Sequence, residues 1–166
     1  TLPVHHTINP QAKYPQVTYS SNGGANSQLP ITLYTGATGV QNVQITGDGT
    51  GTVFVVALDE NGGPSMRRNR IYRSTDGGAT WPSSYTSPAF PAPGDGSCGG
   101  NGIAPFWLYT GGGQLGVGPG PVIPYVYTQG TGGSDPGDLY YIRSTDNGPT
   151  WAAPRQLNPA ATDPPP

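Results

Sequence analysis

Apolar and polar positions along the chain alternate in short runs. Thr52-Val53-Phe54-Val55-Val56-Ala57-Leu58 is a nearly continuous apolar run, bounded by Gly51 and by Asp59-Glu60-Asn61-Gly62-Gly63. Such a run between turn residues predicts a strand buried on both faces. Asn42-Val43-Gln44-Ile45-Thr46 predicts a shorter strand before it, and Ile71 to Ser74 alternate with period two after it. The order repeats downstream, with Leu115-Gly116-Val117, then Tyr125-Val126-Tyr127-Thr128, then Tyr141 to Ser144. Residues 16–19 and 31–34 predict two weaker strands separated by a flexible stretch from Ser20 to Ser27. The expected fold is all-β, built from antiparallel sheets.

Two segments are near-copies. Residues 70–81 read Arg-Ile-Tyr-Arg-Ser-Thr-Asp-Gly-Gly-Ala-Thr-Trp, and residues 140–151 read Tyr-Tyr-Ile-Arg-Ser-Thr-Asp-Asn-Gly-Pro-Thr-Trp. Each follows a predicted strand, and Asp-Gly-Gly or Asp-Asn-Gly marks a tight hairpin turn. An Asp side chain in such a turn accepts bonds from backbone N–H groups ahead of it. Gly78 and Gly148 tolerate positive φ. Thr80 and Thr150 offer a hydroxyl and a β-branched lead into the returning strand, while Trp81 and Trp151 can cover the turn. All of these tasks are structural.

Composition narrows the picture. Gly (27) and Pro (20) are 47 of 166 residues, a level that warns of low complexity. Net charge is only -2, however, so self-repulsion does not hold the chain open. Ten Tyr and three Trp supply β-favouring residues. Glu60 and Lys13 are the sole residues of their types, which argues against a helical bundle. Six Arg and one Lys make no basic face for nucleic acid, and no apolar run is long enough to span a bilayer as a helix. The Lys- and Glu-poor, Thr- and Tyr-rich composition suggests an extracytoplasmic protein: periplasmic, cell-surface or secreted.

The pattern Ser-x-Asp-x-Gly-x-Thr-Trp resembles the Asp-box, or BNR repeat, of sialidases and related β-propellers. Ser74, Asp76, Gly78, Thr80 and Trp81 match it fully, as do Ser144, Asp146, Gly148, Thr150 and Trp151. The resemblance implies propeller blades over residues 42–158, after N-terminal strands and a linker (1–41) and before a Pro-rich tail (159–166). In that family the box joins the third and fourth strands of a blade, on the rim away from the active site. It therefore implies architecture and no catalytic residue. The family's arginine triad, Tyr–Glu pair and acid/base Asp have no complete counterpart here, because Glu60 is the single Glu and Arg67, Arg68 and Arg70 crowd one segment.

No metal or cofactor is expected. His5-His6 alternate across a strand with no acidic cluster near, and Asp135-Pro-Gly-Asp138 reads as a turn. Cys98, in Gly-Ser-Cys-Gly-Gly, has no partner for an internal disulfide. Phe106 to Tyr109 and Tyr125 to Tyr127 suit packing, and alternatively stacking on a carbohydrate. Closed propellers use about 4–8 blades, and the box spacing allows two to three here. Open edges then favour a protein partner, or missing blades of the same protein, with Arg67, Arg68 and Arg70 as polar anchors and segments 82–102 and 159–166 as contact arms. The expected function is a non-catalytic module that scaffolds or binds a protein partner. The alternative is a fragment of a sialidase-like glycoside hydrolase or a carbohydrate-binding propeller.

Overall fold

A computed structural model describes residues 4–8, 14–36, 39–61, 66–93, 112–130 and 137–158. No helix occurs among them, and every strand pairs antiparallel with its neighbours. The first sheet holds β1 (Val4–Ile8), β2 (Pro15–Tyr19) and β3 (Ile31–Thr32). The second holds β4 (Val40–Gly47), β5 (Val53–Asp59), β6 (Arg68–Ser74) and β7 (Ser83–Thr86). The third holds β8 (Gly113–Leu115), β9 (Ile123–Gln129), β10 (Asp138–Ser144) and β11 (Arg155–Gln156). Each sheet is a simple meander in which consecutive strands are neighbours.

The apolar run at β5 is buried at all seven positions because sheets cover it on both sides. Phe54, Val56 and Leu58 join Ile123, Tyr125, Tyr127 and Ile142 in a core between the second and third sheets. Val55 and Tyr72, on the opposite face, join Val17 in a core with the first sheet. The face-to-face stack explains how 28 Leu, Ile, Val and Phe residues suffice: aromatic rings fill much of the space. Tyr127 contacts Phe90, Tyr125 and Tyr140 with ring centroids 5.1–6.0 Å apart.

Register aligns the second and third sheets residue by residue. Ser74 pairs with Val53, and Ser144 pairs with Ile123. The returning strands begin later than the motif suggests, at Ser83 and Arg155, two and four residues after Trp81 and Trp151. A bulge between Gln41 and Gln44 extends β4 upstream of its predicted start, with Asn42 at φ 49°.

Candidate functional site

The two Ser-x-Asp-x-Gly-x-Thr-Trp turns, which resemble the Asp-box and are called box turns below, have one geometry, and it is organised by serine. Ser74 is fully buried; its hydroxyl accepts the Gly78 N–H at 2.8 Å and donates to Asp76 Oδ1 at 2.7 Å. Asp76 Oδ1 also accepts the Thr80 N–H at 2.8 Å, and Oδ2 accepts the Thr80 hydroxyl at 2.6 Å. In the second box Ser144 accepts from Gly148 at 2.7 Å and donates to Asp146 at 2.7 Å. Asp146 takes the Thr150 N–H at 3.1 Å and its hydroxyl at 2.7 Å. The Trp81 and Trp151 indoles donate to the carbonyls of Gly78 and Gly148. The Thr80 hydroxyl, then the Thr80 amide and the Ser74 hydroxyl, lower the Asp76 carboxyl to about 2. The hydroxyls of Thr150 and Ser144 hold Asp146 at about 2 as well.

The stretch from Ser20 to Ser27 holds a third turn of the same design. Ser20 is buried; it accepts the Gly24 N–H at 2.9 Å and donates to Asn22 Oδ1 at 2.8 Å. Asn22 Oδ1 accepts the Asn26 N–H at 3.0 Å. The φ angles repeat too: Gly24, Gly78 and Gly148 lie at 93°, 96° and 107°, preceded by Gly23, Gly77 and Asn147 at 71°, 72° and 61°. The stretch read as flexible is thus a closed turn. Asn22 supplies the oxygen that Asp supplies elsewhere, while Asn26 and Ser27 stand where Thr and Trp complete the motif. The spacing Ser20-x-Asn22-x-Gly24 was the available signal.

A charged cluster lies at the opposite end of the second sheet. Asp59, buried, ends β5 and faces Arg68 in register. Its Oδ2 accepts Arg70 Nε at 2.8 Å and Nη2 at 2.7 Å, and its Oδ1 accepts the Asn61 N–H at 3.0 Å. The Arg70 guanidinium sits 3.6 Å above the Tyr34 ring centroid. Arg67, buried, forms an ion pair with Glu60, whose other oxygen accepts Gln41 Nε2 at 2.7 Å. Burial raises the Glu60 carboxyl above its ordinary range despite Arg67 beside it. Burial also pushes the Tyr72 phenol up to about 12, the reverse of what an activated nucleophile needs.

Of the three predicted arginine anchors, Arg67 and Arg70 are engaged by carboxylates of this chain, and Arg68 is half-buried on β6. Tyr125 and Tyr127 lie in the core, with the Tyr125 hydroxyl donating to Asn69 Oδ1 across the sheet interface at 3.0 Å. His5 and His6 pair in register with Thr18 and Val17. Asp138 is buried and accepts a bond from Asn158. Among the described residues no three His, Cys, Asp or Glu side chains converge on a metal site. Cys98, Phe106 to Tyr109, Asp135, the 94–102 part of the first contact arm and the tail 159–166 lie outside the described residues.

No protein-family model matches the chain, and no curated protein does. A solved structure does resemble it: the NanB sialidase from Streptococcus pneumoniae in complex with 2-[(3-chlorobenzyl)ammonio]ethanesulfonate. The TM-score is 0.52 at 19% identity, over 88% of this chain. The likeness shows the fold, a sialidase-like β-propeller arrangement of antiparallel sheets. This chain spans 19% of that chain's length.

Proposed function

We propose that the chain is a non-catalytic, extracytoplasmic β-propeller-like module that contributes blades to a larger assembly with a protein partner or with further blades of its own protein. The observation that carries this reading is the pairing of the charged groups. Asp59 is closed by Arg70 and Asn61, and Glu60 by Arg67 and Gln41. The site that the sialidase resemblance implies differs from the two-carboxylate site of most glycosidases: it needs a Tyr–Glu pair, an acid/base Asp and arginines free to hold a substrate carboxylate. Here both carboxylates of the cluster are spent on arginines. The box residues are spent on their turns.

A second reading, a piece of a sialidase-like glycoside hydrolase, draws support from the resemblance to NanB and from position. In the propellers that the box motif resembles, the box lies on the rim away from the active site. The Asp59–Arg70 and Glu60–Arg67 pairs sit at the sheet end opposite the box. Incubation of the purified chain with a fluorogenic α-sialoside tests whether these residues carry a catalytic site of their own. The module reading expects no turnover above a buffer blank. Turnover that persists through repeated purification and is lost in Glu60→Gln or Asp59→Asn would establish the hydrolase reading instead.

A further inference from the structure

We propose that the outer face of the third sheet docks a further antiparallel sheet that ends in an Asp-box turn, with Arg143 seated on the box glycine of that sheet. The proposal rests on the propeller reading above and names the contact through which it works. Its basis is a contact made twice within this chain. Tyr19 precedes the box serine of the first sheet and lies on Gly78, the box glycine of the second; a Cβ there would be 3.5 Å from Tyr19 Cβ. Arg73 precedes the box serine of the second sheet and lies on Gly148, the box glycine of the third; a Cβ there would be 2.8 Å from Arg73 Cδ. Arg143 precedes the box serine of the third sheet and is exposed, whereas Arg73 is half-buried.

The rest of the face follows the same equivalence. Through the register, Pro124, Val126, Leu139 and Tyr141 stand where Phe54, Val56, Asn69 and Ile71 stand in the second sheet. Those four are at most 2% exposed, because the third sheet covers them. Their counterparts are not: Leu139 is 39% exposed, and Pro124, Val126 and Tyr141 are half-buried. A groove of about 380 Å³ runs along this side, lined by Tyr141, Arg143, Arg155 and Leu157 among others. No described residue fills it. Both equivalent faces in the chain are occupied by a box-bearing sheet. The occupant this face fits is therefore a third such sheet, with a glycine opposite Arg143 because a side chain there would meet the arginine stem.

The test extends the full chain with a second copy of residues 112–158, joined after residue 166 by a flexible linker. The added copy carries Arg143→Lys, so an arginine-specific dicarbonyl label reads the original Arg143. Docking slows labelling of Arg143 at least tenfold relative to the unextended chain and raises the urea midpoint. Replacing the original Arg143 by Glu leaves the unextended midpoint unchanged and abolishes the gain in the extended chain. Stacked repeats fold on their neighbours, so an added copy that stays unordered, or an Arg143 labelled at the unextended rate, overturns the proposal. An unextended chain that dimerises with Arg143 already protected assigns the face to a second copy and also overturns it. Sialoside turnover bears on the non-catalytic reading alone and leaves this result unaffected.

Discussion

The stem of Arg73 lies on Gly148, so closely that a Cβ at that glycine would stand 2.8 Å from Arg73 Cδ and 2.8 Å from the Phe54 ring. A turn glycine of the third sheet is thereby part of its packing against the second. Gly148 meets two demands together: a φ of 107° and a surface with no side chain. Gly78 has φ 96° but a roomier neighbour, with Tyr19 Cβ 3.5 Å away. Gly148→Ala should cost about 2–5 kcal/mol, combining backbone strain with overpacking, and Gly78→Ala about 1–3 kcal/mol from strain. Urea unfolding of the two variants checks the order. Equal costs would mean that the Arg73 contact carries no weight.

Serine should matter more than aspartate in the box. Ser74 is buried and satisfies the buried Gly78 N–H, whereas Asp76 stands in solvent. Ser74→Ala should cost about 1–3 kcal/mol by orphaning that donor, and Asp76→Ala about 1 kcal/mol or less, because water can replace the carboxylate. Thermal denaturation of both variants measures the difference. A larger loss for Asp76→Ala would reverse this ranking.

Acid should weaken two boxes and spare the third. Asp76 and Asp146 titrate near 2 in the folded chain, against an ordinary 3.8. A depressed folded value adds stability above the unfolded pKa, and that stability is lost as pH falls from about 4 toward 2. Asn22 does not titrate. Asp76→Asn should therefore flatten part of the acid slope by giving up, above about pH 4, the stability that the ionised carboxylate adds, and Asn22→Asp should steepen it. Urea midpoints from pH 2 to 6 give the slopes. An unchanged slope in Asp76→Asn would contradict the assignment.

Legibility followed how local the interaction is. The hairpins of residues 70–86 and 140–156 were readable because each box closes on itself within a few residues. β5 was readable because burial on both faces leaves a nearly continuous apolar run. The first box was missed because its defining bonds use Asn22 and Asn26, and the Thr and Trp that make the motif conspicuous are absent. The Asp59–Arg70 and Glu60–Arg67 pairs were missed because they are fixed by strand pairing and by the β5–β6 loop. Sequence spacing makes Arg67 and Arg70 look like a free basic cluster; register places carboxylates of this chain against them.

The Glu60–Arg67 pair predicts a pH-dependent loss of the opposite kind. Arg67→Ala leaves the Glu60 carboxylate half-buried without its cation, and breaking such a pair costs about 3 kcal/mol when burial is complete. Burial already raises the Glu60 pKa. In the variant it should rise further, so the penalty should be largest near pH 8 and shrink toward pH 5 as Glu60 takes up a proton. Stability of wild type and Arg67→Ala across that range provides the comparison, and a penalty independent of pH would contradict it.

Three box turns of one design, each closed on a buried serine, hold three stacked sheets. Amide hydrogen exchange at Gly24, Gly78 and Gly148 tests it most directly, because each N–H donates to a serine oxygen at 2.7–2.9 Å. All three amides should be protected, each to the level of its own sheet, and Ser20→Ala, Ser74→Ala and Ser144→Ala should each release the matching glycine alone. Exchange of the Gly24 amide at the rate of an open loop, with Gly78 and Gly148 protected, would contradict the claim.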